Sequence, residues 1–150
     1  MSDRIGICIV HPDAFDDSTA QTAGSQRVAA ITRSAGIATG LWSGVFSMAP
    51  GARIDVHHHG PQETIAYVLE GTSHLRWGEH GEFSGVARTG DFLHIPPWLL
   101  HMESNPSPDT QVRWVVVRST PDAVVVNLPG AWGEVPVVDD PSPRSPEAQP

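Results

Sequence analysis

Lysine is absent from this 150-residue chain, and all nine of its basic residues are arginine. Against 17 acidic residues they leave a formal net charge of −8, so no basic stripe exists that could follow a phosphate backbone or an anionic bilayer. Nucleic acid and membrane are excluded as expected partners. Cysteine occurs once, as Cys8, which rules out an intrachain disulfide and a zinc site built on several thiolates. Because Cys8 sits in the apolar run Ile5-Gly6-Ile7-Cys8-Ile9-Val10, it is expected as a small buried hydrophobe rather than a nucleophile. No apolar stretch of about twenty residues, the length of a membrane span, is present. Met1-Ser2-Asp3-Arg4 lacks the features of a secretory leader, so a cytoplasmic location is the expectation.

What the chain does have suits short strands joined by tight turns. Glycine and proline number 14 each, apolar residues make up 39% and charged residues 17%, and long helices are not expected. A chain of this length fits one domain burying about two-thirds of its unfolded surface. Residues 5 to 10 read as a first strand, and residues 11 to 35 as a loop with one helical turn. Strand spacing resumes from Thr39 through Trp42, Val45 and Met48; a turn at residues 49 to 52 then precedes the strand Arg53-Ile54-Asp55-Val56. Further strands are predicted at residues 65 to 69, 72 to 77, 83 to 88, 92 to 95, 111 to 118 and 123 to 127. Many short strands without alternating helices predict an all-β antiparallel sandwich or barrel. The barrel is assigned to residues 1 to 138, and residues 139 to 150, rich in proline and nearly free of apolar side chains, to a disordered tail.

The run Val56-His57-His58-His59-Gly60-Pro61-Gln62-Glu63-Thr64 is where chemistry concentrates. On an extended strand successive side chains alternate faces, so His57 and His59 point one way and His58 the other. Two imidazoles from one strand can share an ion. A second cluster follows at Pro96-Pro97-Trp98-Leu99-Leu100-His101.

These two clusters resemble the paired motifs of the cupin superfamily. In the first motif a Gly is followed after five residues by His-x-His, then a Glu after three or four residues and a Gly after six more; Gly51, His57, His59 and Gly71 match. In the second, Gly90, Pro96, His101 and Asn105 match at every spacing, with Trp98 where the motif has a second glycine. The resemblance covers residues 51 to 105 and implies a double-stranded β-helix, or jelly-roll barrel, with a metal on His57, His59 and His101. It leaves the carboxylate ligand open. Glu63 fits the shorter gap after His59, whereas counting back from Gly71 lands on Thr64. A regular strand turns Thr64 inward with Ala66 and Val68, and only a bulge near residue 63 brings Glu63 to the metal. Failing Glu63, His94 or His74 could complete the sphere. His11, His58 and His80 read as ordinary surface or supporting histidines.

Imidazole ligands suit zinc first and iron(II) next, though affinity follows the same order at any such site. The resemblance implies an enzyme in which the metal activates a carbonyl of a small hydrophobic oxygenated metabolite, as in polyketide cyclisation. The alternatives are an iron(II) dioxygenase and a non-catalytic cupin that binds a metabolite or metal. Glu63 or Glu103 is the candidate base, and Trp98, Thr64 and Tyr67 are the candidate pocket walls. Cupin barrels usually pair through edge strands, so a homodimer is expected, with the apolar strand at residues 5 to 10 covered by the second subunit.

Overall fold

The computed structural model describes residues 6–37 and 39–133. Ten strands form two five-stranded antiparallel sheets. In chain order they are β1 (Gln26–Ile31), β2 (Trp42–Met48), β3 (His57–His58), β4 (Thr64–Glu70), β5 (Thr72–Trp77), β6 (Phe83–Arg88), β7 (Phe92–Ile95), β8 (His101–Ser104), β9 (Val112–Arg118) and β10 (Val126–Asn127). One sheet runs β1-β2-β9-β4-β7 and the other β10-β3-β8-β5-β6. A 3-10 turn at Pro12–Ala14 is the only helical element among the described residues. No helix there is long and apolar enough to cross a membrane. This is the all-β jelly-roll architecture the motifs implied, and the strands at residues 72 to 77, 83 to 88 and 92 to 95 fall on the predicted bounds.

Alternation builds the core. The inward positions Trp42, Phe46 and Met48 of β2, Ala66 and Val68 of β4, and Val112, Trp114 and Val116 of β9 are all buried and form one cluster with Ile54. Each fully buried large side chain of this kind is worth about 1.5–3 kcal/mol. Gly44 completes the inward row of β2 because β1 crosses it closely. A Cβ there would run into the Val28 carbonyl oxygen and the Trp42 ring. Gly71 carries the chain from β4 in one sheet to β5 in the other at φ 84°, a left-handed conformation that glycine adopts at no steric cost. The motif residue Asn105 is buried, and its Nδ2 donates to the carbonyls of Ala49 (3.1 Å) and Thr110 (2.8 Å), tying the exit of β8 to the turn after β2.

Three expectations are corrected. Residues 6 to 10 form no strand, and Ile7 is 96% exposed with Cys8 exposed beside it. Apolar composition alone supplies no partner for backbone N–H and C=O groups, and Asp16, not this run, bridges β1 at Ala29. The edge-strand argument for a dimer loses its premise with it. Conversely, β1 lies inside the segment expected to be loop, because its inward positions begin with Arg27 and so break the apolar alternation. Residues 53 to 56 are not a strand either; Arg53 makes an isolated bridge to Ser104, and the regular strand starts at His57. Residues 1 to 5 and the expected tail at 139 to 150 lie outside the described residues.

Candidate metal centre

His57 and His59 point into the barrel and are buried, while His58 turns the other way, as strand alternation requires. His101, the register partner of His57 across β3 and β8, joins them. Ring centroids lie 4.3 Å apart for His57 and His101, 5.1 Å for His57 and His59, and 5.0 Å for His59 and His101. One ligand nitrogen from each falls within 4.8 Å of the others.

Backbone carbonyls set the tautomer of all three rings. Nδ1 of His57 lies 2.9 Å from the Asp55 carbonyl, Nδ1 of His59 3.0 Å from the Val124 carbonyl, and Nδ1 of His101 2.8 Å from the Leu99 carbonyl. A carbonyl only accepts, so each Nδ1 carries the proton and each Nε2 presents a lone pair, the form a metal needs. The protonated form is disfavoured as well. Burial holds the pKa of His57 well below the ordinary imidazole range and lowers that of His59, with Arg118 adding to the effect at His59; burial also takes His101 down to about 4. Nε2 of His57 and of His101 is buried without a partner. Unpaired buried acceptors are costly, and an ion satisfies both.

Glu103, two residues beyond His101 on β8, supplies the carboxylate. Its oxygens lie 3.8 Å from His57 Nε2 and 3.5 Å from His101 Nε2, too long for good hydrogen bonds. Burial pushes the carboxyl up to about 7, against the pull of Arg27 and Arg118. Because the histidines are held neutral, these contacts are not ion pairs.

Glu63 is not at the site. It is half-exposed and hydrogen-bonded to His94 Nε2 at 2.7 Å on the outer surface, a kind of pair worth about 0–1 kcal/mol. β4 runs regularly from Thr64, with its irregularity at Val68 and Glu70 instead, so Thr64 takes the inward position with Oγ1 buried and unpartnered. Neither His94, exposed, nor His74, half-buried between Ser104 and Val86, belongs to the cluster. Tyr67 lies on the outer face of β4 against Phe92 at 4.9 Å, not in the pocket. Trp98 is 63% exposed and its ring contacts His58, which is turned away from the cluster. It does keep the glycine's backbone, at φ 63°. A left-handed residue with a Cβ costs about 1–2 kcal/mol. Trp98→Gly is therefore expected to be about 1 kcal/mol more stable than Trp98→Ala in denaturant titrations, the reverse of the usual order.

Sequence reading missed Gln62 and Arg118, which hold the segment at Val124 that orients His59. Gln62 Oε1 accepts from Val124 N (2.9 Å), its Nε2 reaches Thr120 and the Asp122 carbonyl, and Arg118 Nη1 donates to the Val124 carbonyl (2.7 Å). That carbonyl is the one that orients His59. The signal was present for Arg118, which continues the inward alternation of Val112, Trp114 and Val116.

Acid is expected to loosen this centre. A histidine whose pKa is lowered on folding contributes stability above its ordinary value of 6.5, and loses it as pH falls through the folded value, about 4 for His101. Glu103, raised on folding, works in the opposite sense between 4.5 and about 7. Three imidazoles outweigh one carboxyl, so chelator-treated protein should melt several degrees lower at pH 4.5 than at pH 6.5 by differential scanning fluorimetry. An unchanged melting temperature would contradict this.

A family model for the cupin domain matches residues 44–118, and the chain belongs to the cupin family. Among solved structures, it resembles an oxalate decarboxylase from Bacillus subtilis (TM-score 0.63, 16% identity, covering 72% of this chain and 28% of that one). It also resembles an oxalate oxidase (0.60, 21%, 74% and 60%) and an uncharacterized double-stranded β-helix protein from Klebsiella pneumoniae (0.58, 17%, 74% and 84%). At such identities the likeness establishes the fold, and the chain spans 28% of the length of that decarboxylase. No curated protein sequence matches.

Proposed function

We propose that the chain is a metal-dependent enzyme acting on a small, hydrophobic, oxygenated metabolite of polyketide or diketone type, most simply as a cyclase closing a ring by an aldol step. The observation that carries this reading is the convergence of three neutral imidazoles, each with Nδ1 committed to a carbonyl, beside one buried carboxylate. His57, His59 and His101 would hold one divalent ion, zinc first and iron(II) next, which when bound supplies Lewis-acid polarisation of a carbonyl. Glu103 takes the α-proton of the substrate onto its carboxylate. Buried beside His57 and His101, it is placed to accept that proton and return it. Trp42, Phe46 and Trp114 belong to the buried apolar core of the same barrel. Two fold neighbours are named for oxalate, which supports a small carbonyl-bearing substrate here. A homodimer is part of the proposal, supported by the exposed Ile65, Tyr67, Leu69 and Phe92 on the outer face of β4 and β7; light scattering measures it.

Elemental analysis of protein purified without chelator or added metal tests the reading, followed by anaerobic turnover of 1,3-diketone and poly-β-keto substrates. About one zinc per chain with anaerobic product is expected. Stoichiometric iron with oxygen uptake would replace cyclisation by a dioxygenase, and absence of any transition metal would overturn the enzyme reading in favour of a binding protein.

A further inference from the structure

Three side chains of formal charge are buried among the described residues: Arg27, Glu103 and Arg118, at 3%, 2% and 2% exposure. Two guanidiniums against one carboxyl leave the barrel interior short of negative charge before any cation is added. Neither arginine lies within ion-pair distance of a carboxylate among the described residues. Arg27 Nη1 donates to Thr22 Oγ1 at 3.2 Å and its guanidinium stands 5.4 Å over the Phe46 ring. Arg118 stands 5.3 Å over Trp42, and its Nη1 donates to the carbonyl of Val124. Neutral partners of this kind offset only part of the cost of burying a cation.

The unused donors face inward from one wall of the barrel, the β4–β9 pair, with Arg118 and Thr64 side by side. Arg118 is the register partner of Thr64 on β4 and of Trp42 on β2, and Trp114 lies four residues back on the same inward face of β9. Nε of Arg118, Oγ1 of Thr64 and Nε1 of Trp114 are all buried without a hydrogen-bond partner. Two of these groups can only donate and the third can. The wall also adjoins the histidine cluster, since Arg118 Nη1 and His59 Nδ1 share the Val124 carbonyl. Thr64 itself stands where the motif count from Gly71 puts the cupin glutamate. A position that could have carried a negative charge carries a neutral donor beside a cation.

We infer that this wall binds a carboxylate on the substrate, so that among the polyketide- and diketone-type compounds proposed above the enzyme prefers those that carry a carboxylate beside the β-keto group, with Arg118 and Thr64 as the anchoring residues and Arg27 adding to the field. A planar guanidinium with a free N–H beside a hydroxyl matches carboxylate geometry. The position of the reacting carbonyl rests on the proposed metal chemistry; the recognition of the anion does not.

Isothermal titration of the full chain with acetoacetate and with its neutral methyl ester tests this, in metal-loaded and in chelator-stripped protein. Acetoacetate should bind about tenfold or more tightly than the ester in both forms, the order of one charge-assisted hydrogen bond. Arg118→Gln should abolish the ratio and Arg27→Gln and Thr64→Val should each reduce it. Should Arg118→Gln fail to fold, the other two variants carry the test. Equal binding of acid and ester in stripped protein, a preference seen only with metal, or a ratio untouched by the substitutions would overturn the inference. Because the ratio is read without turnover and without metal, failure of the metal reading is seen separately in the elemental analysis.

Discussion

His59→Ala is expected to empty the metal centre, with metal content falling from about one ion per chain to background and turnover falling to background with it. A site with three protein nitrogens keeps its ion only while all three hold it, and removing one leaves two imidazoles and a buried space. His59 is the most informative of the three to remove, because its Nδ1 partner is the Val124 carbonyl, 65 residues away, rather than a near neighbour. Its loss therefore also tests whether the segment around residue 124 belongs to the centre. Glu63→Gln is the control. That side chain is half-exposed and bonded to His94 outside the barrel, so metal content and turnover should be unchanged. Full metal retention in His59→Ala, or metal loss in Glu63→Gln, would reject this assignment of the site.

Glu103→Gln should separate proton transfer from metal holding. The amide keeps the shape of the carboxyl and removes its basicity, so turnover should fall by about 10²–10⁴-fold, the usual contribution of a positioned general base. Metal content should stay near one per chain, because the three imidazoles remain. The substitution also exchanges a carboxyl whose pKa burial has raised to about 7 for a neutral group, so the stability of chelator-treated protein at pH 8 should hold or rise, as measured by urea titration. Unchanged turnover would remove Glu103 from the chemistry, and loss of metal would make it a ligand instead of a base.

Most of the barrel was legible because strand signals are local. Alternation of apolar residues located β4, β5, β6, β7 and β9 within a residue or so, and the spacing of Gly51, His57, His59, Gly71, Gly90, Pro96, His101 and Asn105 located the site. Local signals failed where their premise failed. The run at residues 6 to 10 has strand composition and no strand to pair with, whereas β1 has a partner and hides its strand character behind Arg27. Glu63 was undecided for a similar reason. Two counts along the motif differ by one residue, and in a strand one residue is a change of face.

By itself the sequence determined the short antiparallel strands, through alternation and turn residues, and it marked the three histidines through the match of its two motifs to those of the cupin family. Only the tertiary structure decided which carboxylate faces them. Glu103 comes from the same strand as His101 but reaches His57 through cross-strand pairing, and Glu63 is carried to the outer surface by the regular register of β4. It also decided the electrostatics. Arg27 and Arg118 lie 91 positions apart in a chain of net charge −8, where neither stands out, and burial in one interior makes them the dominant charges there. Solvent screens an arginine on an open chain, whereas a low-dielectric interior does not.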